Sequence, residues 1–232
     1  MSTDICYWCG EPIKDGEGNR EHLVPKTILQ DAGVDISEFI ALAHKSCNSF
    51  LADNYEHDFC QIIFHYAAGD PRAAKHTASK LRNLKRHLRY AWNQFRKMRT
   101  AGNMTIVDLD EKEKSSFEMI IKKILKGLYF KLNGKYLDTD NEYIVKIVWS
   151  TLNLEKDEAA ANQTKMLLSV LNGAVFAGNS VFEYRFKKAD DSTEMTSVWE
   201  FLFYHRFPVY LFLVHKNDKE GFKNLELLGD SS

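Results

Sequence analysis

At 232 residues, the chain is long enough for one large domain or two small ones, and its 44% hydrophobic and 27% charged residues are those of an ordinary globular protein. No apolar run approaches the roughly 20 residues of a membrane span. The start, Met1-Ser2-Thr3-Asp4, lacks the basic and apolar regions of a signal peptide, so a cytoplasmic protein is expected. The formal net charge of −1 hides an asymmetry: residues 1–70 hold four Lys/Arg against twelve Asp/Glu, whereas residues 71–100 hold ten Lys/Arg and no acid.

The first 25 residues predict a metal knuckle and a short hairpin, with turn chemistry at Gly16-Glu17-Gly18-Asn19 and a stop at Pro25. Lys26 to Ala32 predicts one or two helical turns, broken by Gly33. Residues 48–68 read as helical, because Phe50, Leu51, Phe59, Ile62, Ile63 and Tyr66 fall near helical spacing. Gly69-Asp70-Pro71 is a break, with Asp70 as a cap and Pro71 at the first helical position. A helix over 71–100 follows, carrying Leu81, Leu84, Leu88, Trp92 and Phe95 as one stripe. A second helix is predicted over 115–132, with Phe117, Ile120, Ile121, Ile124, Leu125 and Leu128 inward and Asn133-Gly134 as its stop. Residues 143–152 fit a strand or a short helix, and 162–171 a short helix. Strands are expected at 181–186, 198–204 and 209–214; their aromatics alternate partly at period two, the pattern of a sheet core.

The chemistry concentrates before residue 50. Of the four cysteines, Cys60 lies among Ile62, Ile63 and Phe64 and reads as core. Cys6 and Cys9 form a CxxC pair, and His44 with Cys47 repeats that spacing. Thiolate and imidazole in two such pairs suit one tetrahedral zinc ion. A redox CxxC would expect a βαβ setting, and no strand precedes Cys6. Glu21-His22 lies between the pairs, and Asn48 follows the last ligand.

Read together, Cys6-Tyr7-Trp8-Cys9, Glu21-His22 through Pro25, and His44 through Cys47-Asn48 resemble the HNH, or ββα-metal, endonucleases over roughly residues 6–60. The resemblance implies a hairpin and a helix clasped around one divalent cation, Mg²⁺ or Mn²⁺, with zinc as a staple. It implies His22 as the general base, and Glu21 with Asn48 as ligands of the catalytic cation. Imidazole suits the base role because its ordinary pKa is about 6.5, and oxygen ligands suit a hard cation. Asn48 as a helix N-cap remains the alternative reading. Two features depart from the pattern: His44 stands where a cysteine is usual, and Phe39 where a positioning asparagine is usual. Asp53, Asn54 and Asp58 are further candidates for a metal-ligating or orienting group, or else surface polar residues.

The helix over 71–100 is uniformly basic, so no acid within it can neutralise Lys75, Arg82, Lys85, Arg86, Arg89 and Arg96. These six are the expected phosphate contacts, and such contacts carry no sequence information. His76 and His87 are placed on the same face and not as metal ligands.

The expectation is therefore an α+β protein in three parts. Residues 1–70 form a zinc-stapled ββα-metal module, 71–100 a basic helix, and 101–232 a mixed α+β accessory region, where His205 and His215 read as structural. The expected activity is metal-dependent hydrolysis of phosphodiester bonds in DNA, with RNA as the other substrate and defence against foreign DNA as a role. A homodimer or a regulatory protein partner is compatible with the accessory region. The competing expectation is a non-catalytic zinc module that binds nucleic acid or a protein.

Overall fold

The computed structural model describes residues 4–33, 35–83, 98–101, 104–107, 109–148, 165, 167–188 and 196–218. Helices and antiparallel sheets combine in an α+β fold. Among the described residues no helix is long and apolar enough to cross a membrane.

The N-terminal knuckle is closed by an isolated bridge between Ile5 and Pro12. Gly10 sits at φ +80°, in the left-handed region that glycine adopts readily, and its N–H returns to the Cys6 carbonyl at 2.9 Å. Strand β1 (Gly18–His22) does not fold back within residues 1–25 as expected. It pairs antiparallel with β2 (Ile40–His44), so that Gly18 faces His44 and His22 faces Ile40. The Gly16 turn, at φ +80°, redirects the chain into β1 but supplies no second strand. Helix α1 (Lys26–Leu29) and two 3₁₀ turns occupy the connection, burying Ile28, Leu29 and Phe39.

Helix α2 (Lys45–Leu51) starts directly at the end of β2 and runs through a π turn (Ala52–Glu56) into α3 (His57–Tyr66). The predicted helical stretch thus exists, with an irregular turn inside it. Asp70 caps α4 (Pro71–Asn83) as its sequence implied: Oδ1 accepts the Arg72 N–H at 2.8 Å. The helix expected to residue 100 ends differently. Residues 98–101 are strand β3 (Met98–Ala101), which pairs with β4 (Met104–Val107); residues 84–97 lie outside the described residues. Of Thr100 to Asn103, read as a helix stop, Thr100 and Ala101 instead belong to β3, and 102–103 lie outside the described residues.

Helix α5 (Glu111–Asn133) is longer than the 115–132 prediction. Asp110 and Glu113 form a capping box at its start, and Gly134 ends it at φ +66°. Of residues 143–152, the first six form a strand, β5 (Tyr143–Val148), and 149–152 lie outside the described residues. It joins β6 (Ala177–Asn179), β7 (Phe182–Lys188), β8 (Ser197–Phe203) and β9 (Phe207–His215) in an antiparallel sheet of order β5-β9-β8-β7-β6. Period two then sorts the side chains. Trp199, Phe201, Leu211 and Leu213 join the main core, while Val198, Tyr210, Phe212 and Val214 face Leu167 and Leu171 on the other side.

One continuous core runs from Cys6, Tyr7, Leu23 and Phe39 through Phe59 and Ile63 of α3 and Phe117, Ile121 and Ile124 of α5 to the inner face of the sheet. Phe39 packs edge-on to Phe182, with centroids 5.3 Å apart. The position where the resemblance expected a polar residue is therefore a hydrophobic link to the sheet.

Candidate metal centre and the adjoining charged site

The ligand atoms of Cys6, Cys9, His44 and Cys47 all lie within 4.8 Å of one another. The knuckle supplies two of them, the end of β2 the third, and the first turn of α2 the fourth. None of the thiols is in a disulfide. Zinc–ligand bonds of about 2.0–2.3 Å make such a cluster the right size for one tetrahedral ion, so these residues could hold zinc. The His44 ring is already set for it. Its Nε2 lies 3.2 Å from the Pro12 carbonyl, which can only accept, and the tautomer that donates there would present the Nδ1 lone pair, 3.3 Å from Cys9 Sγ, to an ion.

Electrostatics also call for a cation. Burial, then the charges of Cys6 and Cys9, push the Cys47 thiol up to about 12. Cys6 moves the other way: although burial raises it, the N–H groups of Cys9, His44 and Trp8 pull it down, the His44 N–H lying 3.4 Å from its sulfur. Three thiolates this close are held together only by a positive ion. Lys126 of α5 stands nearby, buried, with Nζ over the Trp8 ring at 4.6 Å and the Tyr136 ring at 4.7 Å.

Next to this centre, Glu21 and His22 follow strand alternation. Glu21 turns into the core at 2% exposure, and His22 is left half-buried at the rim. Glu21 is not free. Lys123 of α5, at 0% exposure, brings Nζ within 2.7 Å of Glu21 Oε1 and donates to Glu56 Oε1 at 2.6 Å. The contact with Glu21 is an ion pair without aligned hydrogen-bond geometry, and the buried Tyr7 hydroxyl beside it likewise has no aligned partner. Burial raises the Glu21 carboxyl above its ordinary value even against the pull of Lys123. Burial, then the Glu21 charge, holds the Tyr7 phenol well above its own. His22 is shifted down by burial and by the positive charges of Lys26 and Lys123, with Glu56 opposing, so its imidazole is neutral near neutral pH.

Asn48 is not a helix N-cap. The cap position of α2 belongs to His44, and Asn48 is half-buried inside the helix, its carbonyl accepting the Ala52 N–H. The three polar residues after it go elsewhere. Asp53 is exposed, Asn54 donates to the Phe50 carbonyl at 2.7 Å, and Asp58 pairs with Lys112 at 2.7 Å. The acid that does reach Glu21's partner is Glu56. Seven residues make about two α-helical turns; the π turn absorbs one extra, so Glu56, eight after Asn48, comes back to the same side. A catalytic divalent cation does not fit this arrangement. Such an ion needs several oxygen ligands and keeps waters, yet Glu21 is enclosed and committed to an ammonium. Among the described residues, the Cys₃His cluster is the one group of three or more His, Cys, Asp or Glu able to hold a metal.

Of the expected phosphate contacts, Lys75 is exposed on α4 and Arg82 lies in its last turn; Lys85, Arg86, Arg89 and Arg96 fall outside the described residues, as does His87. Arg72 is taken up structurally, pairing with Asp70 at 2.9 Å and donating to Ser180 Oγ at 2.7 Å. His76 binds Asp31 at 2.8 Å and stacks on Phe64 at 4.2 Å. His205 pairs with Glu183 at 2.8 Å. Compared with known proteins, the chain matches no family model, no curated protein and no solved structure.

Proposed function

We propose that the chain is an HNH-type endonuclease, stapled by one zinc ion, that hydrolyses phosphodiester bonds in DNA. One observation carries this reading: β1, which bears Glu21 and His22, pairs directly with β2, whose end supplies the His44 ligand. The residues of the resemblance thus meet on one hairpin-and-helix unit rather than being scattered through the fold. In the proposed reaction His22, neutral and half-buried, takes a proton from water as the water oxygen bonds to phosphorus, and the bond to the 3′-oxygen breaks with that oxygen taking a proton from solvent. The block at 71–100 supplies positive charge for the strand's phosphates. Glu21, buried and held by Lys123, leaves a divalent cation no place in this step. A role in defence against foreign DNA belongs to the same proposal.

The Lys123 ion pair favours a second reading, in which the unit binds nucleic acid or a protein without cleaving it, because a buried, neutralised Glu21 also suits a purely structural triad. Cleavage of supercoiled plasmid by wild type and His22→Ala at matched zinc content, with Mg²⁺, with Mn²⁺ and with neither, separates the two. Cleavage lost in a folded, zinc-loaded mutant supports the hydrolase. DNA binding without cleavage by either protein supports the binding module, and cleavage of RNA alone would change the substrate.

A further inference from the structure

Lys123 stands where the resemblance would place a divalent cation, and it arrives from a helix roughly a hundred residues away in sequence. On α5 it lies in the same turn as Ile120, Ile121 and Ile124, all fully buried. A lysine in such a stripe normally runs its stem along the apolar surface and returns its ammonium to water. This one does the reverse: no part of it is exposed, and its ammonium reaches two carboxylates at 2.6 and 2.7 Å. A buried ammonium survives only when paired, and a buried carboxylate likewise. Glu21 and Lys123 therefore require one another, and Glu56, its side chain 24% exposed, joins them from the solvent side.

We infer that Lys123 is the resident cation of the Glu21–Glu56 site, and that a divalent ion can bind Glu21 only by displacing it. The two species cannot share the place. A divalent ion would set two positive charges against a third that is fully buried, and it would have to give up hydration to reach a carboxylate that is only 2% exposed. Affinity for a divalent ion is then set by competition with the chain's own side chain. This deepens the reading above and rests on it only for the choice of site.

The test reads metal binding with no substrate present. Zinc-loaded full-length chain is titrated with Mn²⁺, and free Mn²⁺ is measured by electron paramagnetic resonance, for wild type, Lys123→Met, Glu21→Gln and the double variant. The expected result is one Mn²⁺ per chain bound at least tenfold more tightly by folded Lys123→Met than by wild type, with that gain lost in the double variant. Equal affinity in wild type and Lys123→Met, no binding by folded Lys123→Met, or a gain indifferent to Glu21→Gln would each overturn the inference. If Lys123→Met fails to fold, wild type decides. Glu21-dependent binding at micromolar Mn²⁺ overturns the inference, and none up to millimolar Mn²⁺ supports it. A chain that cleaves no nucleic acid still yields this result, so failure of the nuclease reading and failure of the inference are told apart.

Discussion

Gly127→Ala should destabilise the protein, although alanine is the better helix former. A glycine inside a helix costs about 0.5–1 kcal/mol relative to alanine, and Gly127 sits well inside α5. Its reason for being there is Leu23. A Cβ at position 127 would lie 2.1 Å from Leu23 Cδ2, with Cδ1 at 2.8 Å and Cγ at 2.9 Å. Leu23 is fully buried and cannot swing into open space, so the helix and the end of β1 must move apart. Overpacking of this kind costs about 1–3 kcal/mol. Set against the gain in helix propensity, a net loss of about 1 kcal/mol is expected from the middle of the two ranges. Urea denaturation of the zinc-loaded protein, extrapolated linearly, measures it. A variant as stable as wild type, or more so, would refute the reasoning, since propensity would then have outweighed a contact that was never tight. A second consequence concerns the site. Gly127 lies one turn after Lys123, and Leu23 directly follows His22, so parting the two elements stretches the 2.7 Å contact with Glu21.

The zinc assignment predicts one zinc per chain by elemental analysis and its loss in Cys47→Ser. Chelation should lower the melting temperature, because the binding free energy of a structural zinc ion is part of the folding free energy. Acid should release the ion as protons compete for the same sulfurs, and a melting temperature indifferent to chelation would count against a structural role. The base assignment predicts the position of the acid limb of the rate profile. His22 is depressed below the ordinary imidazole value of about 6.5 by burial and then by Lys26 and Lys123. The neutral, proton-accepting form therefore persists to lower pH than for a free histidine. Lys26→Gln removes one of those causes, raises the imidazole pKa and should move the acid limb to higher pH with the fold intact. A limb that stays where it was would mean that another group controls the rate.

The metal centre was legible because its information is local. Two pairs of ligands, each spaced by two residues, state a geometry whatever connects them, and the structure closes them within 4.8 Å. The Asp70-Pro71 start, the Asn133-Gly134 stop and the period-two strands were legible for the same reason. The partner of β1 was not, because Gly16 turns the chain without naming what it will pair with, and β2 lies beyond a helix and two 3₁₀ turns. Glu56 was passed over in favour of Asp53 and Asp58, since regular helical spacing does not foresee a π turn. Lys123 did carry a signal, a charge placed among the buried isoleucines of α5, but spacing alone cannot say whether such a lysine turns out to water or in to a carboxylate.

Helix α5 makes the general point concrete. Within two turns it sets Lys123 on the Glu21–Glu56 pair, Lys126 beside the knuckle cysteines, and Gly127 where both can come close. Zinc held by three thiolates and one imidazole would carry one net negative charge, and Lys126 lies where it would offset that charge: burial lowers its pKa, while Asp140, Asp138, Cys9 and Cys6 hold it up. The Glu21–Glu56 pair with Lys123 also sums to one negative charge. Ligands must sit at fixed spacing to meet one ion, so the first fifty residues reveal them. A counter-charge needs only to arrive, from any element that packs close enough, and here both arrive from one face of a helix seventy residues further along the chain.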